Sequence, residues 1–300
     1  MGLNHGFIYT ERIEAAEAGA TVLDYLSRRH RHSSLDLWSR RLREGEIFLD
    51  GEAVGEDVAL KPGQCLAWHR PPWEEPEVPL DYAVVHLDRD LLVAAKPSGL
   101  PTLPGGGFLE HTLLARVRQA YPEATPVHRL GRGTSGIVLF ARSARARKQL
   151  SDAMRRREIV KVYRALASGV PAHRRFTVET PIGPVFHPLL GTVHAASPEG
   201  KYARSLVRLL EPRRDRSLLE VQIETGRPHQ VRIHLAAAGH PLLGDPLYAA
   251  GGGICDGRAA LPGDPGYRLH AERLQFRHPA TGAWVRFECF PPPELRLAWE

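Results

Sequence analysis

The chain is poor in cysteine and lysine, and it contains no long apolar segment. Among its 300 residues the cysteines are Cys65, Cys255 and Cys289, whose odd number and wide spacing give neither a disulfide framework nor a metal-binding pattern. No apolar run approaches the roughly 18 residues of a membrane-spanning helix. The N-terminal segment lacks the basic and apolar regions of a signal peptide. We therefore expect a soluble, cytoplasmic protein without membrane contact.

Arginine dominates the basic residues, because only 5 of the 40 Lys and Arg residues are lysines. Guanidinium groups suit contacts with phosphates and bases, although the codon usage of a GC-rich genome also produces an arginine surplus. The net charge of +6 is unevenly distributed. Residues 1–80 carry 9 basic and 14 acidic residues, a net charge of −5, whereas residues 81–300 carry 31 and 20, a net charge of +11. This imbalance favours a polyanionic partner for the second part.

A proline-rich stretch separates these two parts. It contains Pro71, Pro72, Pro76 and Pro79, and proline disfavours both a continuing helix and a central strand because it lacks the N–H donor. The sequence therefore predicts a small domain over residues 12–70, an extended linker over residues 71–80, and a larger domain over residues 81–295.

The first domain has the pattern of a small α/β module. Helices are predicted at 22–26 and 35–42, and short strands at 46–49 and 66–68. The basic side chains in and beside these helices are Arg28, Arg29, Arg31, Arg40, Arg41 and Arg43. Such a cluster is either a solvated face or an RNA-binding surface. With the segment REGEIFLDGEAV, the arrangement resembles the S4 RNA-binding module, which implies RNA contacts by Arg28, Arg29, Arg40 and Arg41.

The second domain contains a polar loop before a predicted apolar strand at 137–141. The loop reads VHRLGRGTSG over residues 127–136 and offers guanidinium groups, an imidazole and hydroxyls on a glycine-rich backbone. Such a loop could hold a phosphate or a flipped base, or it could be only a turn between two elements. It is not a Walker phosphate-binding loop, because the Lys-Ser/Thr ending and the following helix are absent.

Four other motifs accompany this loop. They are KPSG at 96–99, KVY at 161–163, TGRPHQVRIH at 225–234 and GDPLY at 244–248. Together with the loop they resemble RluA-type RNA pseudouridine synthases over residues 82 to about 292. The resemblance implies an α+β fold, with a mixed, mostly antiparallel sheet and flanking helices. It also implies isomerisation of uridine in RNA without cofactor or metal, on structured RNA such as ribosomal or transfer RNA.

The resemblance also implies roles for individual residues. Arg129 would enter the RNA stack when the target uridine is flipped out, Tyr163 would pack on the uracil and assist proton removal at C5, and Arg232 would pair with the family's nucleophilic aspartate. Further RNA contacts are expected from Arg132, Lys161, Arg227 and His229. For Lys161, orientation of Tyr163 and simple burial of its aliphatic stem are alternatives.

One position departs from the family pattern. The signature H-R-L-D-x-x-T-S-G has an aspartate where this chain has Gly131, and glycine can act neither as a nucleophile nor as an acid or base. Arg232 is then expected to have water, an anion or another carboxylate beside it, and Asp245 is expected to order a turn. Three hypotheses follow: a synthase in which another group replaces the aspartate, a catalytically silent RNA-binding relative, and a basic scaffold without an RNA target.

Overall fold

The computed structural model describes residues 2–255 and 260–300, and the chain divides into two compact units. The division lies between Glu75 and Pro76, inside the stretch predicted to be a linker. No helix within these described residues is long and apolar enough to span a membrane.

The first unit is a four-stranded antiparallel sheet with two helices. Its elements are β1 (Phe7–Arg12), α1 (Val22–Arg29), α2 (Leu35–Arg43), β2 (Ile47–Leu49), β3 (Glu52–Ala53) and β4 (Cys65–Arg70), and the strand order is β1-β4-β2-β3. Each helix begins after a hydroxyl side chain that accepts a hydrogen bond from the backbone: Thr21 from Asp24 and Ser34 from Leu37. Such caps satisfy N–H groups that have no partner within the helix. Both helices lie where the sequence predicts them.

The second unit is built on one large sheet. Its strands are β5 (Ala83–Leu87), β6 (Leu91–Lys96), β7 (Thr125–Pro126), β8 (Ser135–Ala141), β9 (Val160–Ser168), β10 (Arg175–Val178), β11 (Ile182–His187), β12 (Gly191–Ala196), β13 (Ser205–Arg213), β14 (Arg216–Ile223), β15 (Leu269–Arg277) and β16 (Trp284–Glu288). Ten of them form the sheet, in the order β10-β13-β14-β9-β15-β8-β6-β5, with β16 beside β15 and β7 beside β8. The strands β11 and β12 form a separate hairpin. The pairing is mostly antiparallel, so the predicted α+β class is confirmed.

Three helices flank this sheet within the described residues: α3 (Leu113–Ala120), α4 (Ala144–Arg155) and α5 (Gln230–Ala237). Serine is a favoured N-cap residue, so Ser143 predicts the start of a helix. Its side chain caps α4 by accepting from the N–H of Ala146 at 3.1 Å, which confirms this prediction. Proline favours the first turn of a helix, so Pro228 predicts that α5 starts at residue 228, and the structure differs from this prediction. His229 has a left-handed backbone with φ of +53°, so the regular helix begins only at Gln230.

The strands β8 and β15 are far apart in the sequence but adjacent in the sheet. They pair in parallel, with Ser135 opposite His270 and Gly136 opposite Ala271. Gly136 has φ of +107°, and a Cβ at this position would overlap the carbonyl of Ala271. Only glycine allows so close an approach of the two backbones. The contact places the segment before β15 against the loop before β8, where the candidate site lies.

Candidate active site

The loop before β8 is held by the segment that follows β6. The ammonium of Lys96 donates to the carbonyls of Pro97 at 2.8 Å, Leu100 at 2.6 Å and Arg132 at 3.2 Å. The backbone N–H of Gly99 also donates to the Arg132 carbonyl, at 2.8 Å. These three carbonyl oxygens take the place of water around the amine of Lys96. Because this amine is buried, its pKa is lowered to about 7. The KPSG motif therefore fixes the backbone beside residue 131.

Two further hydroxyls fix the same loop. Ser98 donates to the carbonyl of Gly133 at 2.7 Å. Thr102 donates to the carbonyl of Leu130 at 2.9 Å and accepts from the N–H of the same residue at 3.1 Å. The backbone is thus hydrogen-bonded on both sides of Gly131, at residues 130, 132 and 133. These hydrogen bonds fix the position of Gly131 in the fold.

A cleft of about 510 Å³ opens beside this loop. Its lining comes from the loop, from α4 and the turn after it, from β9, and from the segment between β14 and α5. The lining residues are His128, Arg129, Met154, Arg155, Arg157, Lys161, Tyr163, Ile223, Glu224, Thr225, Gly226 and Arg227. Basic groups predominate, and Tyr163 supplies an aromatic ring. Three sequence motifs, separated by up to about a hundred residues, therefore meet at one surface.

Lys161 and His128 lie together in this cleft. The ammonium of Lys161 contacts the sulfur of Met154 at 3.9 Å, a weak acceptor, and burial lowers the pKa of this lysine. His128 accepts from the N–H of Leu139 through Nε2 at 3.1 Å. Burial, with Lys161 nearby, lowers the pKa of His128 to about 4, so this imidazole is neutral. The side chain of Lys161 therefore remains available for an anion or a base carbonyl.

Arg129 and Tyr163 complete the cleft. Arg129 is exposed and forms no ion pair with any residue that the structure describes. Tyr163 is 9% exposed, and burial raises its pKa to about 12, which keeps the phenol protonated at neutral pH. An exposed cation beside a buried, neutral aromatic ring suits the stacking and displacement of a nucleobase.

His229 lies at the start of α5, beside the cleft. Its Nδ1 is 2.8 Å from the hydroxyl of Tyr248, and that hydroxyl donates to the carbonyl of His194 at 2.7 Å. Because the phenolic proton is used for His194, Nδ1–H of His229 is the donor to Tyr248 and its Nε2 carries the lone pair. Burial, with Arg232 as the next cause, lowers the pKa of His229 to about 3. This imidazole is therefore neutral as well.

Arg232 has a carboxylate partner, Asp245. Its Nε and Nη2 donate to the two carboxylate oxygens at 2.8 and 2.7 Å, and its Nη1 donates to the carbonyl of Pro262 at 3.0 Å. Burial disfavours the charged guanidinium, but the hydrogen bonds to Asp245 outweigh it and raise the pKa of Arg232. Asp245 also accepts from the N–H groups of Leu247 and Tyr248, so it orders a turn as expected. Asp245 is therefore a carboxylate neighbour of the kind expected for Arg232.

The space beside Gly131 contains two hydroxyl groups. A Cβ at this residue would lie 2.8 Å from the phenolic oxygen of Tyr267 and 3.6 Å from the hydroxyl of Thr134. These two hydroxyls are 3.2 Å apart. The ring of Tyr267 is stacked against the guanidinium of Arg232, with Cζ 4.1 Å from the ring centroid. No sequence motif indicated Tyr267, because its contact with the loop spans more than a hundred residues.

Comparison with known proteins identifies the family of this chain. The family model described as RNA pseudouridylate synthase matches residues 90–237. An uncharacterized RNA pseudouridine synthase of Synechocystis is 44% identical over 91% of this chain and 95% of its own length. The chain belongs to the RNA pseudouridine synthase family. The resemblance to RluA-type enzymes is thereby confirmed.

Other relatives extend the comparison. RNA pseudouridine synthase 5 of Arabidopsis thaliana is 37% identical over 91% of this chain and 89% of its own length. Ribosomal large subunit pseudouridine synthase D of Vibrio parahaemolyticus is 32% identical over 85% and 82%. Among solved structures, human RNA pseudouridylate synthase domain containing 1 superposes with a TM-score of 0.55 at 26% identity, covering 73% of this chain and 87% of that chain.

Arg227 and Arg132, two other arginines predicted to bind RNA, have different surroundings in this pseudouridine synthase fold. Arg227 lines the cleft, where its Nε donates to the carbonyl of Tyr202 at 3.0 Å. Arg132 donates through Nε to the carbonyl of Gly263 at 2.8 Å, and its Nη2 lies 3.8 Å from Asp264. The side chain of Arg132 therefore contacts other parts of the protein. The backbone carbonyl of Arg132 accepts the hydrogen bonds from Lys96 and Gly99 described above.

The predicted basic residues of the first unit fall into two groups. Arg28, Arg29 and Arg40 are exposed and pair with Glu17, Glu11 and Glu44 respectively. Arg41 is packed between two tryptophans, with its Cζ 4.5 Å from the ring centroid of Trp38 and 4.1 Å from that of Trp68. The exposed arginines can exchange their glutamate partners for phosphate, whereas Arg41 contributes mainly to packing.

Proposed function

We propose that this protein isomerises uridine to pseudouridine in RNA, in the cleft beside residue 131. The observation that carries the proposal is the convergence of Arg129, Lys161 and Tyr163 on one cleft, at the positions of the family motifs. A uridine stacked in an RNA helix is unreachable, so the base must be flipped out before N1–C1′ can be exchanged for C5–C1′. Arg129 would take the vacated place, and Tyr163 would support the uracil ring.

The proposed substrate is a structured RNA, ribosomal or transfer RNA. The net charge of +11 over residues 81–300 supports a phosphate-rich partner. The first unit is proposed to be an S4-like RNA-binding module, because Arg28, Arg29 and Arg40 are exposed on its helices. The proposed reaction needs no metal or cofactor, and the protein is proposed to act in the cytoplasm.

Release of tritium from RNA tests this function. Transcripts of ribosomal and transfer RNA carrying 5-tritiated uridine are incubated with the full chain, because C5 loses its hydrogen when it bonds to C1′. We expect release by the wild-type protein. An Arg129→Ala variant should release tritium at least about tenfold more slowly, since the flipped state loses support. The exposed Arg145 on α4 lies outside the cleft lining, and Arg145→Ala is the matched control.

A second candidate is a silent RNA-binding relative, and Gly131 is the observation that favours it. It predicts binding of the same transcripts, measured by filter retention, without tritium release from any of them. Release by the wild-type protein would exclude this candidate.

A further inference from the structure

A hydroxyl oxygen lies close to the position that the side chain of residue 131 would take. The two oxygens of an aspartate lie about 2.4 Å from its Cβ by standard bond geometry. The phenolic oxygen of Tyr267 lies 2.8 Å from the place where a Cβ of residue 131 would be. An oxygen atom is therefore present at about the distance from this Cβ position at which an aspartate would have its own oxygens.

Tyr267 is held firmly in this place. It is 2% exposed, its ring is stacked on the guanidinium of Arg232, and its hydroxyl is hydrogen-bonded to Thr134. Gly133 contributes as well, because a Cβ there would lie 2.9 Å from two ring carbons of Tyr267. The loop accommodates the tyrosine because positions 131 and 133 both lack a side chain.

The nearby carboxylates are less suitable. Both oxygens of Asp245 accept from Arg232, and one of them also accepts from two backbone N–H groups, so their lone pairs are used within the protein. Glu224 lines the cleft, but its carboxylate lies 3.5 Å from Nη1 of Arg204. Of the two hydroxyls beside residue 131, that of Tyr267 is nearer than that of Thr134.

We propose that Tyr267 replaces the family's aspartate as the nucleophile at C1′, an inference that rests on the proposed function. Its phenolic oxygen bonds to C1′ while the N1–C1′ bond breaks, and the phenolic proton passes to the departing uracil. After the uracil rotates, C5 bonds to C1′, the tyrosyl C1′–O bond breaks, and the proton of C5 returns to the phenolic oxygen. Atoms and electrons balance, and no oxidant or metal is required.

The decisive variants remove the hydroxyl of Tyr267 and then supply an aspartate at residue 131 in its place. Tyr267→Phe keeps the ring and its packing but removes the oxygen, so the single-turnover rate of tritium release should fall at least about 10³-fold. Gly131→Asp/Tyr267→Phe places a carboxylate in the space that the hydroxyl leaves, and it should be at least about 10²-fold faster than Tyr267→Phe alone. The matched control is Tyr121→Phe, because Tyr121 is half-buried at the end of α3, outside the cleft.

The outcomes separate this inference from the proposed function. A wild-type protein that releases no tritium overturns both. A wild-type protein that is active, with Tyr267→Phe within about tenfold of it, overturns only the role of Tyr267. A double variant no faster than Tyr267→Phe also overturns that role, even if the single variant is inactive. Loss of release in Glu224→Gln with retention in Tyr267→Phe would assign the nucleophile to Glu224 instead.

Discussion

Arg232 is a buried cation whose charge is balanced inside the protein. Its side chain is 2% exposed and that of Asp245 is 1% exposed. Removing one partner from such a pair leaves an uncompensated buried charge, which costs more than the pair itself contributes. The pair also fixes the guanidinium against the ring of Tyr267, so a structural contact orients the group proposed to react.

Asp245→Ala should therefore lower the free energy of unfolding by about 3–5 kcal/mol, measured by urea unfolding followed by circular dichroism. The control is Asp152→Ala, which removes an ion pair to the 75% exposed Arg155. Exposed pairs contribute little because water and salt screen them. Equal losses in the two variants would contradict the stabilising role assigned to the buried pair.

At the scale of elements, the parallel pairing of β8 with β15 positions the site. It joins residues 135–136 to residues 270–271, and Tyr267 lies just before the second of these segments. The close approach depends on Gly136, whose φ of +107° is unfavourable for any other residue.

Gly136→Ala should destabilise the protein by at least about 2 kcal/mol, because it combines a strained backbone with an overlap against the Ala271 carbonyl. Its control is Gly253→Ala, since a Cβ at Gly253 meets nothing within 4 Å and its φ is not in the left-handed region. The comparison is made by thermal unfolding. If both variants unfold at the wild-type temperature, the close approach does not constrain the fold as described.

For the whole molecule, charge distribution matters more than net charge. The +6 of the chain is the result of −5 in residues 1–80 and +11 in residues 81–300. A polyanionic partner would therefore meet a strongly basic second part.

Binding of a transfer RNA transcript should weaken by at least about tenfold between 50 and 200 mM salt, because each phosphate contact releases condensed counterions. Filter binding at several salt concentrations measures the slope of log affinity against log salt. An affinity independent of salt would contradict a binding mode based on phosphate contacts. Arg129→Ala should reduce the slope by about one, whereas Arg145→Ala should leave it unchanged.

Local sequence was sufficient for the elements and for much of the cleft. Ser143 predicts the start of α4 because an N-cap acts on backbone groups within three residues, and the spacing of apolar residues predicts α1 and α2. The motifs around Arg129, Tyr163 and Arg232 identify the family, since their residue types and order are visible in the chain. The start of α5 was wrong by about two residues, because nothing local to Pro228 indicates the left-handed backbone of His229.

By itself, then, the sequence determined the fold class, the family and the absence of a carboxylate at residue 131. Only the tertiary structure decided what fills that absence. Tyr267 reaches Gly131, and Asp245 reaches Arg232, through contacts made when β15 and α5 pack beside the loop before β8. Such contacts depend on how distant segments meet, and the residue types of either segment alone do not specify them. The missing side chain is a property of the chain, whereas the hydroxyl beside it is a property of the fold.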